Sequence, residues 1–413
     1  MTNFLQFVLA LIIIIVGAKT GGYISTRWKQ PAVLGELLAG LVLGPTVLNM
    51  LNWGMFSDGH LGEFIAHLAE FGVILLMLLA GLELHVNELA GSSKVAALAG
   101  TLGVATPMLM GWGVCILFGL STRQAMFVGL ILAATSVSIS AQTLMELGLL
   151  RSRVGVAMLG AAVFDDVLVL LALSVFTALT GDMGAAGFRE VLQILLQMVG
   201  YFAISIAIGM WLLPRLISRA DRLHINQGLY LFTLIIGLLY AWAAEALGGI
   251  AAITGAFLAG LLLSRTSQRE RIIEGISTIA YSLFVPVFFA NIGLQTNARN
   301  LSGDMLWMTL AIIVVAVASK LLGCGLGARM GGMSPRESLQ LGAGMVSRGE
   351  VGLIVATLGL THQLINQEIF SMTVITVIVV TLLTPILLYR LAANSEPAMA
   401  AEPTLAPEQG ETP

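Results

Sequence analysis

Charge is what this chain has least of. Of its 413 residues only 20 are Lys or Arg and 23 Asp or Glu, 10% in all, while 57% are apolar; a soluble domain carries about 25% charged residues. So few charges cannot coat a water-facing surface, and the apolar excess is read as facing lipid. A formal net charge of −3 provides no basic face to neutralise phosphates, which excludes nucleic acid as a partner. Cysteine is nearly absent. Cys115 and Cys324 stand singly inside apolar stretches and read as small packing residues, leaving no disulfide framework. The first apolar run lacks a small-residue cleavage signature and is followed only by Lys19, Arg27 and Lys29, so it is kept as a span and not a removable signal. Glycine, in contrast, is plentiful at 46 residues and lies within the apolar runs, as close helix packing in lipid requires.

A helix needs roughly 20 residues to cross the hydrocarbon core. Cutting the chain at charges, prolines and polar clusters predicts an all-α polytopic membrane protein of thirteen spans, near 3–25, 31–51, 62–85, 95–119, 124–147, 152–180, 188–213, 226–246, 249–265, 273–294, 304–328, 336–360 and 367–390. Residues 1–394 form the transmembrane domain. The tail 395–413 holds four of the eleven prolines and four acids with no Lys, Arg or aromatic, a composition that predicts disorder. With thirteen spans the loop basic residues separate sharply: fourteen fall on one side and Arg123, Arg189 and Arg299 on the other. Positive residues collect in the cytoplasm, which puts the N-terminus outside and the C-terminus inside a cell (plasma) membrane. Lys19, Lys320 and Arg348 are left within spans.

Leu38-Ala39-Gly40-Leu41 in span 2 reads like Leu258-Ala259-Gly260-Leu261 in span 9, and Gly81-Leu82-Glu83 in span 3 like Gly293-Leu294-Gln295 in span 10. The separation is seven spans, an odd number, so the second copy enters the membrane upside down. Two inverted-topology repeats follow, spans 1–6 and 8–13, the plan of secondary transporters.

Charge at mid-membrane is costly and marks function. Asp165 and Asp166 lie in Phe164-Asp165-Asp166-Val167 with apolar turns on both sides, Lys320 follows an apolar run, and Glu350 belongs to Arg348-Gly349-Glu350. Adjacent helical residues point about 100° apart, so each aspartate needs its own partner. Two neighbouring carboxylates in a poorly solvated place resist joint ionisation. A carboxylate that holds either a proton or a hard cation, but not both well, is the minimal machinery of proton-coupled cation exchange. A buried ion-paired cluster that only fixes packing is the duller alternative, and a costly way to gain stability. Spans 5 and 12 look unsuited to plain helix: Ala133-Ala134-Thr135-Ser136-Val137-Ser138-Ile139-Ser140 crowds hydroxyl and β-branched residues, and Gly342-Ala343-Gly344-Met345-Val346-Ser347-Arg348-Gly349 is glycine-rich. Paired interruptions at matching positions of two halves point to a transport site, and Arg348 and Glu350 are suited to neutralising the broken ends.

The combination of Gln30-Pro31-Ala32-Val33-Leu34-Gly35-Glu36, Ala80-Gly81-Leu82-Glu83, Ala134-Thr135-Ser136-Val137, Phe164-Asp165-Asp166, Lys320 and Arg348-Gly349-Glu350-Val351-Gly352 resembles the monovalent cation:proton antiporter-2 family over residues 3–390. The resemblance implies a core domain with crossed discontinuous helices 5 and 12, a dimerisation domain and hence a homodimer. It implies Asp166 as the carboxylate that takes Na+, Asp165 paired with Lys320, Thr135 and Ser136 at the unwound crossing, and Glu350 and Arg348 in support. It implies no cofactor and no enzymatic activity, only transported cations and protons, with lipid as the surrounding partner. The Asp-Asp-Lys set resembles electrogenic Na+/H+ members. A K+/H+ antiporter of the same family and a sodium-coupled solute symporter are the alternatives. An intramembrane aspartyl protease needs one Asp from each of two facing helices, and here both come from one span.

Overall fold

The computed structural model describes residues 2–56, 59–180, 184–220, 227–295, 305–361 and 363–393. The tail expected to be disordered lies outside these residues, as do the loops 221–226 and 296–304 that carry part of the charge count. The regular elements described are all helical: α1 (Asn3–Arg27), α2 (Ala32–Leu43), α3 (Leu61–Glu83), α4 (Val86–Gly91), α5 (Ser93–Leu117), α6 (Thr122–Ala133), α7 (Val137–Glu146), α8 (Arg153–Thr180), α9 (Gly184–Ala220), α10 (Gly228–Ala246), α11 (Ala252–Leu263), α12 (Arg269–Ile279), α13 (Val285–Leu294), α14 (Leu306–Met330), α15 (Pro335–Gly344), α16 (Glu350–Thr361) and α17 (Gln367–Ala393). A π-turn, Ala280–Phe284, joins α12 to α13.

Among the described residues ten helical segments are long and apolar enough to cross a membrane, with α6–α7 and α12–α13 each making one of them. The expectation was thirteen. Spans 2 and 9 are occupied by the 12-residue helices α2 and α11, each about 18 Å long at 1.5 Å per residue and short of a ~30 Å hydrocarbon core. Span 12 is divided between α15 and α16. Hydropathy counts a glycine-rich apolar turn the same as a helix, which is why the windows overran these ends.

The exposure pattern is that of a protein solvated by lipid. Phe4, Val16, Tyr23, Leu196, Trp211, Trp242, Trp307 and Val314 are all exposed, while Lys320 and Arg348 are among the largest fully buried side chains. An apolar periphery around a charged interior fits hydrocarbon and not water.

The helices pack in two groups. One gathers α1, α2, α3, α10, α11 and α13; the other centres on α5, α6, α8, α14 and α15, and α9 touches both through α8, α10 and α11. In the first group the matching sequence motifs meet each other. A Cβ at Gly40 of α2 would collide with the Ala290 carbonyl of α13, and one at Gly293 with the Leu41 amide. Likewise a Cβ at Gly81 of α3 would strike the Phe257 carbonyl of α11, and one at Gly260 the Leu78 carbonyl. The α2–α13 contact thus has its counterpart in α11–α3, and only glycine lets these backbones approach so closely.

Glu36 of α2 is buried at 6% exposure, and the half-exposed Lys19 of α1 reaches it at 3.5 Å. Glu146 of α7 accepts from the Ala32 and Val33 amides, at 2.5 and 3.2 Å. Those amides open α2 and have no intrahelical partner, so a carboxylate there satisfies them and the helix dipole together.

Candidate functional site

The site is built on two interrupted spans and one continuous helix between them. α6 starts on a capping box of Ser121 and Gln124 and stops at Ala133. Ala134 and Ser136 are extended before α7 resumes at Val137. α15 starts on a second capping box, Ser334 with Glu337, has Pro335 in its first turn and ends at Gly344; α16 begins at Glu350. Hydroxyl side chains offer the backbone alternative partners, and glycine resists helix, which accounts for breaks at these two places.

The breaks abut. The Ser136 amide donates to the Ser347 carbonyl at 3.0 Å, and the Ser347 hydroxyl donates to the Ser136 carbonyl at 2.7 Å. Ser140 and Ser347 hydroxyls lie 2.9 Å apart, and the Ser140 hydroxyl also bonds the Gly344 carbonyl. Ser136 and Ser138 hydroxyls are 3.1 Å apart, while the Thr135 hydroxyl bonds back to the Ala133 carbonyl at 3.4 Å. Backbone groups freed by unwinding are therefore satisfied by each other and by serines, as a water-poor interior demands.

Arg348 is fully buried. Its Nη1 donates to the carbonyls of Met345 and Val346, both at 3.1 Å, and of Ser347 at 3.3 Å, and its Nη2 to Ala316 of α14 at 3.4 Å. A guanidinium is thereby aimed at the negative, C-terminal end of α15, and the Thr381 hydroxyl of α17 holds the Arg348 carbonyl. The Glu350 side chain lies outside the described residues.

α8 packs against α6, α7 and α15, the helices that flank the breaks, and carries the two aspartates. They have separate partners. Lys320 Nζ of α14 donates to Asp165 Oδ1 at 2.8 Å, with side-chain exposures of 0% and 1%. Asp165 Oδ2 has no hydrogen-bond partner among the described residues. Room for the pair comes from α5, where a Cβ at Gly103 would strike Cys324 Sγ and lie 3.7 Å from Lys320 Nζ and 3.9 Å from Asp165 Oδ1. α14 itself is pressed against α5 through Gly323 and Gly327, whose added Cβ atoms would meet Thr106, Leu102, Leu98 and Ala99.

Asp166, 5% exposed, accepts a 2.9 Å hydrogen bond at Oδ2 from the Thr254 hydroxyl of α11. Thr254 was not foreseen. Threonines in apolar helices usually spend their hydroxyl on the carbonyl four residues back, as Thr233 does on Leu229 and Thr376 on Met372. Thr254 is the third residue of α11, so the carbonyl four back lies before the helix, and its hydroxyl is available to Asp166. The signal lay in the helix start, Gly248-Gly249 ahead of Ala252, a place for a hydroxyl with no partner in its own helix. Ser140 and Ser347, which join the two breaks, lie in the two segments expected to unwind, but neither was singled out as a partner.

Residues 9–392 match the family described as sodium/hydrogen exchanger, transmembrane. The chain is 38% identical over 396 residues to the Na(+)/H(+)-K(+) antiporter GerN of Bacillus cereus, covering 96% of this chain and 99% of that one. It is 34% identical to the Na(+)/H(+) antiporter of Enterococcus hirae, with 93% and 97% covered. The sodium proton antiporter MjNhaP1 of Methanocaldococcus jannaschii shares the fold, with a TM-score of 0.68 at 18% identity over 95% of this chain and 99% of that chain. A helical bundle with ten membrane-length segments and a family match across nearly its whole length make this chain a multi-pass membrane protein that belongs to the sodium/hydrogen exchanger family.

Proposed function

We propose that this protein exchanges a monovalent cation, sodium in the first instance, for protons by alternating access, with Asp166 as the shared binding carboxylate. The observation that carries the reading is the pair of adjacent buried aspartates on α8, one ion-paired with Lys320 at 2.8 Å and the other accepting a hydroxyl hydrogen bond from Thr254 at 2.9 Å. Asp166 is thus a carboxylate whose charge a proton or a dehydrated cation can take. Oxygen ligands from Thr135 and Ser136 at the first break would complete the coordination of Na+. Arg348, with Glu350, holds the broken ends in place and does not bind the ion.

The cycle follows from competition. Ionised Asp166 takes the cation on one side; rearrangement of the α5–α8–α14 group against the α2–α3–α11 group exposes it on the other, where a proton displaces it. If cation binding also draws Asp165 away from Lys320, Lys320 releases its proton on the side where the cation binds and takes one up again where protons displace it, so two protons cross for one cation and the exchange is electrogenic. The two packing groups support a core and a dimerisation domain, and the exchanged α2–α13 and α11–α3 contacts support the inverted repeat, with α6–α7 and α15–α16 as its crossed discontinuous pair and thirteen membrane segments in all. The basic residues support a cell-membrane location, N-terminus outside, with a role in sodium and pH homeostasis as a homodimer.

Potassium is the second reading, favoured by one observation: a relative 38% identical is named a Na(+)/H(+)-K(+) antiporter. The test is proton release from proteoliposomes carrying a pH dye on adding Na+, Li+ and K+ in turn. Sodium is expected to give the largest response at the lowest concentration; a response to K+ alone would transfer the assignment to potassium.

A further inference from the structure

The Asp166–Thr254 hydrogen bond joins helices that otherwise belong to different packing groups. α8 packs on α5, α6, α7 and α15, whereas α11 packs on α3 and α10, with α9 packing on both. Both side chains are buried, 5% exposed at Asp166 and 3% at Thr254. Thr254 contributes nothing to the capping of its own helix, since its hydroxyl donates to Asp166 Oδ2 and its amide donates to the Ala251 carbonyl.

We infer that Thr254 is a positioning residue that enforces coupling: its hydroxyl tethers Asp166 to α11 while the carboxylate is ionised and empty, and lets go when a cation or proton is bound. This rests on the reading of Asp166 as the ion-binding carboxylate. A hydroxyl bonded to an ionised carboxylate is held about twice as strongly as one bonded to a neutral group, and more so where solvent is scarce. A bound cation or proton takes up the carboxylate charge and weakens the bond. The tether is therefore strongest in the one state that an antiporter must not allow to cross the membrane. An empty carrier that returns turns exchange into a leak, because a proton carried one way is then followed by nothing carried back. Ligands shift such an equilibrium only through a difference in contacts between states, and this bond is such a difference.

The experiment is proton leak in proteoliposomes given a pH gradient, with no alkali cation on either side and a lipophilic permeant ion to cancel the potential. Wild type should hold the gradient. Thr254→Val, which keeps the shape and removes the hydroxyl, should dissipate it about tenfold faster, the equivalent of ~1.4 kcal/mol. Thr254→Ser should restore the wild-type rate. Combining Thr254→Val with Asp166→Asn should abolish the leak, since it runs through the carrier and not through a pore. If Thr254→Val is not recovered folded, Thr254→Ala removes the same hydroxyl. A leak at the wild-type level in the folded variant overturns the tether. A leak that persists in the double variant also overturns it. Cation-dependent exchange surviving in Asp166→Asn alone would instead overturn the reading of Asp166, a separate result from a separate arm.

Discussion

Asp165 and Lys320 meet at 2.8 Å in a place where neither side chain reaches solvent. The attraction has to offset the desolvation of two ions, and removing one partner leaves the other charge bare, a loss of roughly 3–5 kcal/mol. Lys320→Gln is therefore expected to lower thermal stability in detergent substantially, and Asp165→Asn as well. The double variant Asp165→Asn with Lys320→Gln should recover part of that loss. A double variant as unstable as the sum of the singles would show that the two residues act independently.

In the proposed cycle the same pair sets the charge moved. With Lys320 releasing its own proton, the exchange rate responds to an imposed membrane potential. In the double variant that contribution is gone, and any residual exchange should be indifferent to potential. Current on a supported membrane, compared between wild type and double variant, reads this directly; equal charge per cation in both would take Lys320 out of the proton count.

Arg348 covers three consecutive carbonyls at the end of α15, those of Met345, Val346 and Ser347. Each carbonyl left bare in a buried place costs roughly 1–3 kcal/mol. Arg348→Ala should be severely destabilised. Arg348→Lys should lie between, because an ammonium lacks the planar fork. Hydrogen exchange at residues 343–349 is the measurement, and protection unchanged in Arg348→Lys would contradict the capping role.

Gly349 and Gly352 provide a matched comparison three residues apart. A Cβ at Gly349 would sit 2.5 Å from Ser136 Oγ and 2.7 Å from Ser136 Cβ, across the junction of the breaks, whereas at Gly352 the nearest atoms are 3.8 and 3.9 Å away. Gly349→Ala should cost about 1–3 kcal/mol and impair exchange, and Gly352→Ala should be tolerated. Exchange unaffected by Gly349→Ala would mean that the junction is not under close geometric constraint.

The membrane class, the position of both helix breaks and the identity of the buried charges were legible because each follows from composition or from local chemistry. Asp165, Asp166, Lys320 and Arg348 stood out since an ion in an apolar run is costly to bury. Pairing across the chain was a different matter. The partners Asp165 and Lys320 are 155 residues apart and Ser140 and Ser347 are 207 apart, so no periodicity connects them, and the first pair was named by family resemblance alone. Glu146 at the start of α2 and Thr254 beside Asp166 depend on where one helix end falls against another helix. That spans 2, 9 and 12 are short or divided was not legible for a related reason, since hydropathy records what a segment dissolves in and not whether it is wound.

The central claim is that one carboxylate, Asp166, carries cation and proton in turn. Sodium-induced proton release from purified, folded Asp166→Asn in dye-loaded proteoliposomes tests it most directly, with Asp165→Asn reconstituted in parallel. The account predicts no response from Asp166→Asn at any sodium concentration that saturates the wild type. Sodium-dependent release that persists in Asp166→Asn at the wild-type level would contradict it.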